Sequence, residues 1–262
     1  MRIYVIMPAY NEQGRILATL KEYWHALGSA YGKDVRLIVV SDSTDNTNKI
    51  VAGYARKQHG GIKLFRGSEK KGKGAALARG FAYACADSKM TVVGFVDADP
   101  VIPGKEITKL IGYLGERGTD GVIASRYARG SVWIGRQRPV RYIASRAYNQ
   151  LVRLLFGLPY RDTQCGAKFF KKRALCGILN TLALTDMSFD LDLLYEMHLH
   201  GFRVVEKPVA YRWIREGSTL VLKKQIPQMM IVALGYRITR SPINVLVPPA
   251  LKGAVYNFFK RW

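Results

Sequence analysis

Two carboxylates, Asp97 and Asp99, follow an apolar run at residues 91–96 that is rich in β-branched side chains. Such a run is typical of a buried central strand. In an open α/β fold, the carboxyl ends of parallel strands line the ligand crevice. Two acids separated by one residue suit a hard divalent cation such as Mg²⁺, which binds carboxylate and phosphate oxygens together. In the alternative interpretation, these acids only cap a turn or begin the next helix.

The elements that position these acids alternate along the first half of the chain. Mostly apolar segments at residues 2–7, 35–40, 62–65 and 121–124 predict further strands, and helical spacing of apolar residues predicts helices between them. This alternation predicts an α/β fold in which a mostly parallel sheet carries helices on both faces. No G-x-G-x-x-G fingerprint follows the first strand, which argues against a nicotinamide-dependent dehydrogenase.

Two more segments next to predicted strands carry residues that suit a nucleotide. Asp42 follows the second strand, where its carboxylate is placed to accept hydrogen bonds from a base or ribose, or simply to cap the next helix. Lys73 lies in a run of lysine and glycine that enters a helix, where small residues let backbone N–H groups approach phosphate. The run is not a Walker P-loop, and tight packing of the helix explains it equally well.

The charge of the chain is strongly positive and unevenly distributed. The chain contains 41 Lys and Arg residues and 19 Asp and Glu residues, so its net charge is +22. This charge predicts a polyanionic partner or an anionic membrane face. Residues 126–173 hold 12 basic residues and one acid, Asp162, and residues 217–262 hold seven basic residues and none. Arginine has the fork geometry that binds phosphate. Aromatic residues do not interleave with basic ones at stacking spacing, so nucleic acid is not the expected partner.

Residues 223–262 predict contact with a membrane surface. Their apolar patches are flanked by Lys and Arg and end in aromatic residues, a pattern of the membrane interface, although packing onto the main domain is the alternative. No apolar run approaches the roughly 18 residues of a spanning helix, and no signal peptide precedes the first strand. The three cysteines predict neither a disulfide framework nor a zinc site. We therefore expect a reducing location, peripheral on the cytoplasmic face of a membrane.

Seven short motifs, taken together, resemble the family 2 glycosyltransferases of the GT-A fold, and in particular the dolichyl- or polyprenyl-phosphate glucose and mannose synthases. The likeness spans about residues 1–222 and implies a GT-A catalytic domain there, followed by a basic amphipathic tail at 223–262. The motifs occur in the order Pro8-Ala9-Tyr10-Asn11-Glu12, Asp42-Ser43-Thr44-Asp45, Gly72-Lys73-Gly74, Asp97-Ala98-Asp99, Ser125-Arg126-Tyr127, Asp162-Thr163-Gln164-Cys165-Gly166 and Phe189-Asp190.

The resemblance also implies roles for individual residues. Asp97 and Asp99 are expected to hold Mg²⁺ or Mn²⁺ against the diphosphate of the donor. The acceptor phosphate is expected to be gripped by Arg126, Arg141, Ser145 and Arg215. The nucleotide sugar is expected to be bound by Pro8, Tyr10, Glu12, Asp42, Lys73, Asp97, Ala98 and Asp99.

The expected function is metal-dependent, inverting transfer of a hexose from UDP-glucose or GDP-mannose to a polyisoprenyl phosphate. An anionic phosphate nucleophile needs no general base, so Asp190 is expected to be structural or to orient the acceptor arginines. The enzyme alternative is a family 2 transferase that acts on a sugar hydroxyl, with Asp190 as the base. The other alternative is a basic membrane-surface or nucleic-acid binding module, which would have no use for Asp97 and Asp99.

Overall fold

The computed structural model describes residues 2–67, 72–135, 139–183, 186–213 and 222–240. The strands are β1 (Arg2–Ala9), β2 (Val35–Ser41), β3 (Ile62–Arg66), β4 (Met90–Val96), β5 (Gly121–Ser125), β6 (Val132–Ile134), β7 (Ala167–Lys171), β8 (Val204–Pro208) and β9 (Ala210–Arg212). The α-helices are α1 (Ile16–Tyr31), α2 (Thr47–Arg56), α3 (Lys73–Cys85), α4 (Gly104–Gly112), α5 (Pro139–Phe156), α6 (Lys172–Ile178), α7 (Phe189–Leu199) and α8 (Leu222–Thr239).

Seven strands form the main sheet, in the order β3-β2-β1-β4-β7-β5-β8. Strand β7 runs antiparallel to both of its neighbours, and the other pairs are parallel. Because Val96 at the end of β4 lies opposite Ala167 at the start of β7, the loop that enters β7 reaches the edge where β4 delivers its two acids. The prediction of a mostly parallel sheet is confirmed.

Helices cover both faces of this sheet because side chains alternate along each strand. On one face, Val5 belongs to the buried core that includes residues of α1 and α4. On the other face, α3 lies so close to β1 that a Cβ on Gly80 would overlap the side chain of Ile6. Phe81 of α3 packs there against Phe95 of β4. Both faces of the central strands are therefore buried, which is why those strands are continuously apolar.

A disulfide joins Cys85 at the end of α3 to Cys176 in α6. The prediction that the three cysteines form no disulfide is wrong, and the topology gives the reason. Strand β7 runs back along β4 and leads into α6, which places α6 beside the end of the helix that precedes β4. The sequence separation of 91 between the two cysteines conceals this proximity in the sequence. The expected reducing location was inferred from the lack of a predicted disulfide, so the disulfide removes that argument.

The chain forms two compact units, the first of residues Met1–Arg136 and Tyr160–Glu216 and the second of Gln137–Pro159 and Gly217–Trp262. In the second unit α5 packs against α8, with Phe156 stacked on Tyr236 at 6.0 Å between ring centroids. Within the described residues, no helix is both long and apolar enough to cross a membrane. The predicted division at residue 222 stays a prediction, and the second unit includes a helix, α5, that this division places in the catalytic domain.

Candidate active site

The two carboxylates of the Asp97-Ala98-Asp99 motif lie at the carboxyl edge of β4, as their position in the sequence predicts. The backbone N–H of Asp97 donates to the carbonyl of Gly166, the residue before β7, over 2.9 Å. A Cβ on Gly166 would overlap Asp97 Oδ2. Only glycine therefore lets the β7 loop approach this carboxylate so closely.

A chain of alternating charges runs inward from Asp97. Lys73 Nζ lies 3.0 Å from Asp97 Oδ1 and 3.1 Å from Asp190 Oδ2. Lys168 Nζ lies 2.5 Å from Asp190 Oδ1 and donates a second hydrogen bond to the carbonyl of Cys165 over 2.8 Å. Asp190 and Lys168 are fully buried, and Lys73 keeps only 12% of its side-chain surface exposed. The inner charges are thus compensated inside the protein, as buried charges must be.

Burial and ion pairing oppose each other in this chain, and pairing prevails. Burial would lower the pKa of Lys73, but the carboxylates of Asp190 and Asp97 raise it above its ordinary value. Burial would raise the pKa of Asp190, but the ammonium groups of Lys168 and Lys73 lower it. Asp190 therefore stays ionised at neutral pH, with both oxygens engaged.

Asp99 has a different environment from Asp97. Its Oδ1 is buried and has no hydrogen-bond partner among the described residues. Its Oδ2 lies 3.8 Å from Arg15 Nη1, and Arg15 is also paired with Glu12. Burial and the nearby charge of Asp97 raise the pKa of Asp99 to about 6. A further cation, in addition to the Arg15 guanidinium, would offset the burial of the Asp99 carboxylate and its repulsion by Asp97 if it lay close to both acids.

The carboxylates of Asp97 and Asp99 fit a divalent cation that is bound by the protein and by the substrate's phosphates together. The described residues contain no group of three His, Cys, Asp or Glu side chains able to hold a metal without help. Mg²⁺ is, however, commonly bound through one or two carboxylates together with substrate phosphates. The unpartnered oxygen of Asp99 supplies one such ligand, and Asp97 stands beside it on the same strand end.

Four of the residues predicted to contact the nucleotide, Pro8, Tyr10, Glu12 and Asp42, lie at or just beyond the ends of β1 and β2, which are neighbours in the sheet. Asn11 adopts a left-handed φ of 55°, and its side chain accepts a hydrogen bond from the N–H of Thr44 over 3.0 Å. The N–H of Glu12 donates to Thr47 Oγ1 over 2.8 Å. The two loops therefore hold each other in place. Pro8, Tyr10 and Glu12 are half-buried, whereas Ala98 is buried.

Asp42 is buried beyond β2 and forms an ion pair with Arg79 of α3. Gly67 passes so close that a Cβ there would overlap Asp42 Oδ1. The structure thus brings Asp42, Tyr10, Glu12, Lys73, Asp97 and Asp99 to one edge of one sheet.

The chain also matches a known family over most of its length. Residues 4–178 match the family described as glycosyl transferase family 2. The chain is a family 2 glycosyltransferase. The resemblance drawn from the sequence motifs is confirmed, and so is the assignment as an enzyme.

Two relatives and one solved structure illustrate what this glycosyltransferase is similar to. Glycosyltransferase AglD of Haloferax volcanii is 30% identical over 223 residues, which cover 84% of this chain and 34% of that protein. A dolichyl-phosphate beta-glucosyltransferase of Dictyostelium discoideum is 30% identical over 227 residues, which cover 82% of this chain and 68% of that protein. The mannosyltransferase PcManGT of Pyrobaculum calidifontis, solved with GDP-Man and Mn²⁺, superposes with a TM-score of 0.58 at 17% identity, covering 98% of this chain and 69% of that one. The last likeness shows the GT-A fold.

Of the four residues expected to grip the acceptor, one belongs to the first unit, two belong to the second unit and one lies outside the described residues. Arg126 forms a buried two-pronged ion pair with Asp162, with both Nε–Oδ2 and Nη2–Oδ1 at 2.7 Å. Burial would lower the pKa of Arg126, but Asp162 raises it well above its ordinary value. Arg141 and Ser145 lie half-buried on α5 in the second unit. Arg215 lies outside the described residues.

Sequence reasoning did not assign three residues that the structure places at this site: Arg15, Gly166 and Lys168. A signal existed for two of them. Lys168 lies among the buried apolar residues at the start of β7, and a fully buried lysine requires a partner. Arg15 follows Glu12 by three residues, the spacing of paired side chains at a helix start. Gly166 ends one of the seven motifs, but its role beside Asp97 depends on the pairing of β4 with β7 and could not be inferred from the motif alone.

Proposed function

We propose that this glycosyltransferase moves a hexose from UDP-glucose or GDP-mannose to a polyisoprenyl phosphate such as dolichyl phosphate. The likeness to a dolichyl-phosphate beta-glucosyltransferase supports this acceptor class. The observation that carries the choice is the environment of Asp190, whose two oxygens are held by Lys73 and Lys168. A carboxylate engaged in this way is a poor general base. A phosphate acceptor needs none.

The donor would lie across the strand ends of β1, β2 and β4. Pro8, Tyr10, Glu12 and Asp42 are proposed to contact the nucleotide, with Lys73 and Ala98 beside the diphosphate. Held by Asp97 and Asp99, Mg²⁺ or Mn²⁺ would neutralise the departing diphosphate as a Lewis acid. The two loops that follow β1 and β2 are fixed by mutual hydrogen bonds, so the pocket is formed before the donor arrives.

The proposed reaction is a single displacement. An oxygen of the acceptor phosphate, already anionic at neutral pH, attacks the anomeric carbon on the face opposite the diphosphate. The bond from that carbon to the diphosphate oxygen breaks, and its electron pair leaves with the nucleoside diphosphate. The configuration inverts and no proton is transferred. The protein's contribution is therefore orientation and electrostatic stabilisation rather than acid–base catalysis.

The acceptor phosphate is proposed to contact Arg141, Ser145 and Arg215. Arg126 would have to leave Asp162 in order to bind phosphate, so we assign it to holding the loop before β7 instead. The second unit exposes both apolar and basic side chains, which supports peripheral contact with an anionic membrane. The cytoplasmic face is proposed for this contact from the sequence, not from the structure. Each Lys or Arg near such a surface contributes about 1 kcal/mol.

A matched pair of acceptors tests this proposal. The purified protein is supplied with UDP-glucose or GDP-mannose, Mn²⁺, and either dolichyl phosphate or dolichol in the same detergent. We expect hexose transfer to dolichyl phosphate and none to dolichol, because only the phosphate is anionic. Transfer to dolichol or to a glycolipid hydroxyl, with dolichyl phosphate inert, would establish the hydroxyl-acceptor alternative.

A further inference from the structure

Lys73 is the residue in this site whose position goes beyond what a donor-binding role requires. It begins α3, directly after Gly72, whose φ of 91° lets the chain turn into the helix. Its ammonium lies 5.0 Å from the centre of the Phe95 ring on β4. The side chain is thus directed inward across the sheet toward Asp97 and Asp190, and not outward as most lysines at a helix start are.

The Lys73 ammonium is held in place by a buried network that consists of Asp190, Lys168 and the carbonyl of Cys165. Asp190 is ionised, fully buried and anchored on its other oxygen by Lys168, which is also fully buried. Lys168 is held in turn by the carbonyl of Cys165, in the loop whose Gly166 touches Asp97. The network therefore returns to the carboxylate from which it starts. If the Lys73 ammonium moved out into solvent, the buried carboxylate of Asp190 would lose one of its two counter-ions, which is energetically costly.

We propose that Lys73 is the resident counter-ion of Asp97, occupying Oδ1 until a nucleotide diphosphate enters with its divalent cation. This inference rests on the proposed function, because it takes Asp97 to be a metal ligand. In the absence of the donor, the ammonium and a divalent cation compete for the same carboxylate. When the diphosphate is present, its oxygens offer Lys73 a new acceptor, so the competition ends. The site then binds the complex of metal and nucleotide in preference to free metal.

The consequence is a coupling between two ligands. A nucleoside diphosphate raises the affinity for Mn²⁺ partly by contributing ligands and partly by relieving the competition from Lys73. By linkage, Mn²⁺ raises the affinity for the nucleotide by the same factor. Without the ammonium, the second part of the coupling is lost.

The test measures binding of Mn²⁺ alone, followed by the electron paramagnetic resonance signal of free Mn²⁺, at one pH and one ionic strength. The proteins compared are the wild type, Lys73→Met, Lys73→Gln, Lys73→Arg and Lys63→Met. Lys63 lies on β3, and its ammonium donates to Tyr83 Oη at the surface. The Lys63 variant therefore changes the net charge by the same amount without touching the site.

We expect Lys73→Met and Lys73→Gln to bind Mn²⁺ about tenfold more tightly than the wild type, because a cation at 3.0 Å from Asp97 has been removed. Lys73→Arg and Lys63→Met should stay within about twofold of the wild type. Addition of UDP should strengthen Mn²⁺ binding to the wild type by a larger factor than in Lys73→Met. Unchanged or weaker binding of Mn²⁺ to a folded, uncharged variant at position 73 would overturn the proposal.

Two uncharged variants guard against loss of fold, since glutamine keeps a donor for Asp190 and methionine does not. Thermal unfolding without metal identifies any variant that fails to fold. The titration contains no sugar and no lipid, so its outcome is separate from the acceptor assay. If Lys73 competes with Mn²⁺ but dolichyl phosphate receives no hexose, the proposed function fails and this inference survives. If dolichyl phosphate receives a hexose but Lys73 does not compete with Mn²⁺, this inference fails and the proposed function survives.

Discussion

At the scale of single residues, Gly166 determines where Asp97 can lie, because its missing Cβ leaves the space that the carboxylate occupies. We predict that Gly166→Ala lowers the rate of hexose transfer by about 100-fold, the usual effect of displacing a positioned group by about 1 Å. The measurement is transfer to dolichyl phosphate, together with the thermal shift caused by UDP-glucose and Mn²⁺. Gly112→Ala in α4 is the control, since a Cβ there meets nothing within 4 Å. Full activity of Gly166→Ala would show that the close approach is unimportant.

The buried pair of Arg126 and Asp162 separates a structural role from an acceptor-binding role. We predict that Arg126→Met lowers the free energy of unfolding by about 3–5 kcal/mol, because Asp162 is left buried and charged without its partner. The double variant with Asp162→Asn should recover part of this loss. Urea denaturation measures both changes. Glu116→Gln, which removes a pair whose carboxylate is 46% exposed, should cost less than about 1 kcal/mol. A stable Arg126→Met protein that has lost only acceptor affinity would contradict the structural assignment.

At the scale of elements, the Cys85–Cys176 disulfide ties α3, which carries Lys73 at its start, to α6. Closing a loop of this length removes conformational freedom from the unfolded chain. We predict that Cys85→Ser with Cys176→Ser lowers the free energy of unfolding by about 2–5 kcal/mol. The same loss should follow in the wild type when a reductant is added before urea denaturation.

Thiol labelling checks that the bond forms. Burial raises the pKa of the remaining thiol, Cys165, well above its ordinary value. Iodoacetamide at pH 8 should therefore leave the native protein unlabelled and label one cysteine in urea without reductant. Labelling of all three cysteines under those denaturing conditions would show that the protein holds no disulfide.

The parallel part of the fold could be predicted from the sequence, and its antiparallel insertion could not. Mostly apolar segments before Asp42 and Asp97 indicate buried strands, and acids just after such segments are expected at the ligand edge. The contact of Asp97 with the loop before β7 could not be predicted in this way. Strand β7 enters between β4 and β5 from 71 residues further along the chain, as the pairing of Val96 with Ala167 shows. No local pattern encodes that pairing.

The same insertion explains the missed disulfide and two of the three site residues that were not assigned. It brings Cys176 to Cys85, Gly166 to Asp97 and Lys168 to Asp190. Each of these contacts depends on one long-range register, so none could be read from spacing. Asp42, Lys73, Asp97 and Asp99 were predicted individually, whereas Lys168 and the network that compensates the buried charges were not.

At the scale of the whole molecule, the membrane contact proposed above is assigned to the second unit, which combines positive charge with exposed apolar side chains. Val140, Ile143 and Leu154 of α5 are exposed, beside three arginines on the same helix. We predict cosedimentation with vesicles that contain phosphatidylserine, weakened by salt, and a several-fold lower affinity for Ile143→Ser. Leu199→Ser, which removes an exposed leucine from α7 in the first unit, is the matched control. Equal binding of both variants to the vesicles would exclude α5 from the contact surface.

The central claim is that Asp97 and Asp99 hold the cation that serves the departing diphosphate. The most direct measurement is hexose transfer to dolichyl phosphate by Asp99→Asn at saturating Mn²⁺, beside the wild type with and without chelator. Asp34→Asn, exposed just before β2, is the control. We predict that Asp99→Asn and chelation each lower the rate by at least about 100-fold, because either one removes charge stabilisation of the leaving group, and that Asp34→Asn has no effect. Transfer by Asp99→Asn at the wild-type rate in the presence of Mn²⁺ would contradict the account.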